Sequence, residues 1–112
     1  MHVIEQAGVP ARALRAAWVE NLRVPDLSLG TYTIPTGGAD PQEPHSEDEV
    51  YVVTHGRARL QTPDLTVDVA PGSVLFVPAG EEHRFVDVTE DLTVLVVFGP
   101  AEHTRATGDA TQ

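Results

Sequence analysis

Cysteine and lysine are both missing from this chain of 112 residues. Without cysteine it has no disulfide, no thiolate metal ligand and no cysteine nucleophile. Without lysine it cannot form a Schiff base through a side-chain amine. Aromatic residues are few, at 5% of the sequence, and no apolar run of about 18 residues predicts a membrane span. The side chains left for chemistry are His, Asp, Glu, Tyr and Arg, with any metal that they hold.

Basic residues are also scarce, because 7 arginines stand against 17 acidic residues and give a formal net charge of −10. Nucleic acid and anionic membranes would be repelled by such a chain, so neither is an expected partner. The N-terminus lacks the basic-then-apolar order of a secretory signal, and we therefore expect a cytoplasmic protein. A hydrophobic content of 41% in a chain of this length predicts a single globular domain.

The apolar pattern changes along the chain near residue 26. Leu14, Trp18 and Leu22 recur at four-residue steps within 11–22, which predicts a short amphipathic helix anchored by Trp18. Residues 1–26 are therefore interpreted as an N-terminal extension, 27–100 as a β-barrel and 101–112 as a frayed, disordered tail.

Short β-branched and aromatic runs separated by turn residues fill the central part of the sequence. Residue pairs typical of turns occur at His55-Gly56, Pro63-Asp64, Pro71-Gly72, Ala79-Gly80 and Glu90-Asp91. The strands predicted between them cover 27–34, 49–55, 57–62, 65–69, 74–78, 83–88 and 92–98. This spacing favours an antiparallel all-β sandwich or barrel.

Histidines and carboxylates are concentrated in two parts of the sequence. The first lies just before and at the start of the strand predicted at 49–55, and the second at the start of the strand predicted at 83–88. Strand alternation puts Glu49 and Tyr51 on one face, and His83 on the inward face of a later strand. Two carboxylates confined together inside a barrel need a counter-ion, because otherwise one of them must take up a proton. His45, Glu49 and His83 together have the composition of a two-histidine, one-carboxylate metal site with open positions.

Two motifs in this region resemble those of the cupins, whose patterns are G(X)5HXH(X)3–4E(X)6G and G(X)5PXG(X)2H(X)3N. The first is matched by Gly37, Glu43, His45, Glu49 and Gly56, with Glu43 where the family has its first histidine. The second is matched by Gly72, Pro78, Gly80, His83 and Asp87, with Asp87 in place of the asparagine. The two motifs together span residues 37–87.

This resemblance implies a cupin double-stranded β-helix, or jelly-roll barrel, with a metal site inside it. The implied ligands of a divalent Fe, Mn, Ni, Co or Zn ion are Glu43, His45, Glu49 and His83. Glu43 can ligate through oxygen or turn outward and leave three ligands. The resemblance also implies a homodimer and a small-molecule ligand in the barrel.

Three functions fit these residues. The first is a metal-dependent, dioxygenase-type oxidoreductase acting on a small organic molecule. The second is a non-catalytic module that binds or senses a small molecule. The third is a metal-free, sugar isomerase- or epimerase-like reaction with His83 and Tyr51 as acid and base, and Tyr51 is the candidate catalytic residue. Glu47 and Asp48 are interpreted as a solvated acidic loop, and His103 as a tail residue.

Overall fold

The structure is a computed structural model, and it describes residues 1–106. It contains six strands: β1 (Ala17–Val24), β2 (Leu27–Ile34), β3 (Asp48–Gln61), β4 (Thr66–Val69), β5 (Val74–Val77) and β6 (Arg84–Gly99). All pairings are antiparallel, in the order β1-β2-β6-β3-β4, and β5 pairs with the first half of β3. Within residues 1–106 no helix is long and apolar enough to span a membrane.

Alternating burial along β3 and β6 defines the inside of the barrel. Glu49, Tyr51 and Val53 on β3 are buried, as the sequence pattern predicts, while Val50 and Val52 between them are half-buried on the outer face. The interior is filled by aliphatic and aromatic side chains from β2, β3 and β6, among them Ile34, Tyr51, Phe85, Leu92, Val94 and Phe98. The all-β architecture is therefore confirmed.

Two turns expected from the sequence are bends within long strands instead. β3 continues through Gly56 and β6 continues through Asp91, and the pairing register shifts between Val53 and Arg59. Gly56 has φ of 89°, and a Cβ there would lie 2.1 Å from the carbonyl oxygen of Asp91. A glycine is needed at this close approach, and the bulged pair turns the corner of the barrel without breaking either strand.

The helix predicted over residues 11–22 is wrong. Residues from Ala17 onward form β1, and Trp18 pairs with Tyr32 on β2. Leu14 is fully exposed, so the four-residue spacing does not mark a buried helical face. The Trp18 indole instead packs against Gly30, where an added Cβ would lie 2.2 Å from the ring. Pairing with β2 and this aromatic packing outweigh the weak helical preference of the segment.

The chain continues past β6 into turns at residues 101–106. Ala101 is buried, and Glu102 is half-buried beside the open end of the barrel. The rest of the expected tail, 107–112, lies outside the described residues.

Candidate metal centre and adjoining pocket

Three side chains converge inside the barrel from three separate places in the chain. His45 lies in the loop before β3, Glu49 is on β3, and His83 directly precedes β6. One nitrogen or carboxylate oxygen from each lies within 4.8 Å of the other two, and in residues 1–106 this is the group that could hold a metal ion. Glu49 Oε1 is 3.4 Å from His45 Nδ1 and 3.2 Å from His83 Nε2.

Backbone hydrogen bonds hold both histidines in place. The Gly80 N–H donates to the His45 carbonyl over 2.8 Å, and Gly80 makes the turn with φ of 82°. The ring nitrogen Nδ1 of His83 lies 2.8 Å from the Glu81 carbonyl, which can only accept, so Nδ1 carries the proton. In the neutral ring, Nε2 of His83 then presents its lone pair to Glu49.

Two buried polar atoms at this centre are unsatisfied. Among the described residues, His45 Nδ1 and Glu49 Oε1 have no hydrogen-bond partner, although both are shielded from solvent. Unpaired buried polar atoms are costly and therefore rare in folded proteins. A cation between His45, Glu49 and His83 would satisfy both atoms, so this set of donors fits a divalent transition metal.

Burial and contacts within the centre act in opposite directions on the pKa values of Glu49 and His83. Burial acts to raise the pKa of Glu49, but its contacts with His45 and His83 outweigh burial and lower that pKa. Burial acts to lower the pKa of His83, but Glu49 and the Glu81 carbonyl outweigh it and raise that pKa. The carboxylate form of Glu49, which is the form that ligates a metal, is therefore favoured.

Tyr51 lies directly against the centre. Its hydroxyl is 2.9 Å from His83 Nε2 and 2.8 Å from the side-chain oxygen of Gln42. Burial, together with the charge of Glu49, raises the pKa of Tyr51 well above its ordinary value. Tyr51 is therefore a neutral phenol that can donate one hydrogen bond.

Asp40 is a buried carboxylate that the sequence did not reveal. It accepts hydrogen bonds from the Tyr32 hydroxyl at 2.6 Å, from the Phe85 N–H at 2.8 Å and from the Gln42 amide at 2.5 Å. These bonds fix Gln42, which in turn accepts from Tyr51. Asp40 thereby orients the polar groups behind the centre.

The remaining acidic candidates of the loop separate into three environments. Glu43 is exposed and does not belong to the three-residue group in the described chain. Asp48 is also exposed, as expected, and accepts the Ala79 N–H at 3.0 Å. The interpretation of Glu47 as a solvated residue was wrong, because only 1% of its surface is exposed.

A cavity of about 260 Å³ adjoins the centre and opens toward solvent. His45, Glu49 and Tyr51 form its inner end. Its walls are formed by Ala16, Trp18, Tyr32, Pro41, Gln42, Val96, Phe98 and Glu102. The Trp18 ring meets those of Tyr32 and Phe98 edge-on, with centroids 6.5 and 6.1 Å apart. A metal here would be reachable by a small molecule seated against aromatic walls.

Residues 30–98 match the family described as the cupin domain, which covers most of β2 through β6. The chain therefore belongs to the cupins, as the two sequence motifs predict. The uncharacterized protein SCO3923 of Streptomyces coelicolor is 48% identical over 86 residues, which cover 77% of this chain and 82% of that protein.

Solved structures share the same fold at low sequence identity. An RmlC-like cupin protein from Desulfovibrio desulfuricans aligns with a TM-score of 0.75 at 22% identity, covering 89% of this chain and 99% of the other. KdgF from Halomonas sp. aligns with a TM-score of 0.70 at 18% identity, covering 81% and 85%. At such identities the likeness establishes the fold alone.

Proposed function

We propose that this cupin binds a divalent transition metal through His45, Glu49 and His83, and that it acts as a dioxygenase-type oxidoreductase on a small organic molecule. The observation that carries the proposal is the pair of unsatisfied buried atoms, His45 Nδ1 and Glu49 Oε1, beside the Nε2 lone pair of His83. Three protein ligands would leave coordination positions open for a small molecule, and two of the ligands, His45 and Glu49, line the cavity.

When bound, such a metal supplies Lewis acidity or redox chemistry to an oxygen-bearing substrate. The protein's own contribution is to hold and orient the substrate. Tyr51 lies at the inner end of the cavity with its hydroxyl oriented by Gln42, and Phe98 and Trp18 provide the apolar surface of the cavity wall.

The cavity walls favour a substrate whose only negatively charged group is an oxygen that would bind the metal. Among the described residues that line the cavity there is no arginine, whereas Glu49 and Glu102 are both present. An anionic group away from the metal would therefore meet carboxylates without a basic partner. Small aromatic or enolic molecules with vicinal oxygens suit both the apolar walls and the open metal positions.

Two measurements test this function. Metal analysis of the purified protein by plasma mass spectrometry should find about one transition-metal ion per chain. Oxygen uptake should follow when the Fe(II)-loaded protein is mixed with a panel of enols, catechols and flavonols. Stoichiometric metal with ligand binding but no turnover would favour a non-catalytic binding module. Protein that takes up no divalent metal would refute the proposal.

We also propose that the protein forms a homodimer through the outer face of the sheet. Leu29 pairs with Val97, Val97 with Val50, and Val50 with Phe76, so these residues form one apolar row across four strands. Phe76 is 63% exposed at the end of the row. A second copy of the chain, which presents the same row, would remove this surface from water.

A further inference from the structure

The residues after the barrel form a segment that contributes Glu102 to the cavity wall, here called the C-terminal strap (residues 101–106). Ala101 is 2% exposed, and the Glu102 N–H donates to the Ser28 hydroxyl over 2.8 Å. The Thr104 N–H donates to the Ala101 carbonyl over 3.0 Å and makes the segment a tight turn. Main-chain bonds therefore place Glu102 independently of its side chain.

The Glu47 side chain anchors the strap through hydrogen bonds to its main chain. Its Oε1 accepts the His103 N–H at 2.7 Å, and its Oε2 accepts the Arg105 N–H at 2.8 Å. The Ser46 hydroxyl adds a third hydrogen bond to the same carboxylate. Bonds from N–H groups to a buried carboxylate are charge-assisted and stronger than neutral ones. The Glu47 carboxylate therefore holds the strap in place through its bonds to His103 and Arg105.

Glu102 brings a second carboxylate to His45, on the side of the ring opposite to Glu49. Its Oε2 lies 3.5 Å from Nε2 of His45, while Nδ1 of the same ring lies 3.4 Å from Glu49 Oε1. The Glu102 side chain is only 12% exposed, so solvent screens it little. Each ring nitrogen of His45 therefore faces one carboxylate.

A neutral imidazole carries a single N–H, so one of these nitrogens must present a lone pair. With the proton on Nδ1, the Nε2 lone pair would face the Glu102 carboxylate, and the N–H would occupy the direction in which a metal ligand must point. With the proton on Nε2, it lies between the ring and Glu102. A side-chain shift of about 0.5 Å would then close the 3.5 Å separation to a hydrogen bond.

We propose that Glu102 is a positioning residue, whose carboxylate holds the proton of His45 on Nε2 and so directs the Nδ1 lone pair toward Glu49 and His83. The inference rests on the proposed function, in which His45 is a metal ligand. Carboxylates that hold the second nitrogen of a ligating histidine raise its basicity and fix its orientation. Glu102 does this from outside the barrel, through a segment that Glu47 anchors.

The first test reads the tautomer of His45 directly, in protein freed of metal by chelator. Long-range ¹H–¹⁵N correlation spectra at alkaline pH, where imidazoles are neutral, should show wild-type His45 with its proton on Nε2. The signals are assigned by their loss in His45→Ala. Glu102→Ala should move the ring to a mixture of tautomers, because no carboxylate then faces Nε2.

The matched control is His103→Asn. The His103 ring is 73% exposed and lies 3.6 Å from Glu102, and its backbone has φ of 71°, which asparagine tolerates. This variant should keep the wild-type tautomer of His45. A wild-type ring protonated on Nδ1, or a tautomer unchanged in Glu102→Ala, would overturn the inference.

The second test is titration of the metal-free proteins with Co(II), followed by its visible absorption. Glu102→Ala should weaken Co(II) binding by about ten- to a hundredfold, on the scale found for such outer partners of metal ligands. His103→Asn should bind like wild type. Equal affinity in Glu102→Ala and wild type would count against the inference. If wild-type protein bound no Co(II), the proposed function would fail, and the tautomer measurement would still decide the role of Glu102.

Discussion

His45 and Glu49 are separated by three residues in the sequence, yet they approach the same point from a loop and from a strand, with Nδ1 and Oε1 3.4 Å apart. Neither atom has a hydrogen-bond partner within the described part of the chain. Two buried polar atoms left without partners and facing each other are well explained by a cation that both would bind.

Alanine at His45, Glu49 or His83 should abolish stoichiometric metal binding. Each replacement removes one of three ligands and opens the coordination sphere to water. Metal content of the purified variants, measured by plasma mass spectrometry, checks this expectation.

Glu43→Ala and Asp48→Ala are the matched controls, because each removes an exposed carboxylate close in sequence to His45 and Glu49. Both should retain metal at the wild-type ratio. Loss of metal from Glu43→Ala with retention in Glu49→Ala would show that the ligand set is assigned to the wrong carboxylate.

Bound metal should stabilise the fold, because a ligand that binds only the folded state adds about 2.7 kcal/mol at one hundred times its Kd. For a domain of this size, the melting temperature should fall by on the order of 10 °C after chelation. Calorimetry of metal-loaded and chelated samples measures the shift. Coincident melting curves, from protein shown beforehand to contain metal, would contradict the expectation.

Phe76→Arg should separate the proposed dimer into monomers. The side chain is 63% exposed, so the replacement leaves the barrel interior intact while it places a charge in the apolar row. Light scattering should give twice the chain mass of 12.0 kDa for wild type and the single mass for the variant. Leu65→Arg, at a position that is also 63% exposed but lies outside the row, should remain dimeric. Wild-type protein that scatters as a monomer would refute the dimer.

Acid should reduce the contribution of Asp91 to stability. The Thr36 N–H and hydroxyl each donate to Asp91 Oδ1 over 2.8 Å, and these bonds lower the pKa of Asp91 in the folded state. A carboxyl whose pKa falls on folding stabilises the protein above its unfolded pKa of about 3.9. That stabilisation is lost as the pH falls through the folded value.

Denaturant midpoints should therefore be lower for Asp91→Asn than for wild type at pH 7, and the difference should shrink below about pH 4. Other titrating groups are common to both proteins and cancel in the comparison. A difference that stayed constant between pH 7 and pH 3 would mean that the charge of Asp91 has no part in the contact.

The barrel and the three convergent side chains could be predicted because their signals are local. Alternation places Glu49 and Tyr51 on one face, and the glycine at position 80 fixes the turn that leads to His83. Strand β1 could not be predicted, because Trp18 is held there by Gly30 on a neighbouring strand. A contact of that kind leaves no periodic trace in the sequence.

The buried carboxylates were missed for a related reason. Asp40 and Glu47 are surrounded in the sequence by polar and proline residues typical of an exposed loop. Their burial depends on donors that are distant along the chain, namely the N–H groups of Phe85 and of residues in the C-terminal strap. Burial of a single charged residue is a tertiary property, and only the assembled fold reveals it.

The match to the family ends at residue 98, whereas the wall of the cavity extends to Trp18 on one side and Glu102 on the other. These two positions of the cavity wall therefore lie outside the segment that matches the family. A change at either position would alter the surface that a ligand meets while every residue of the matched segment stayed the same.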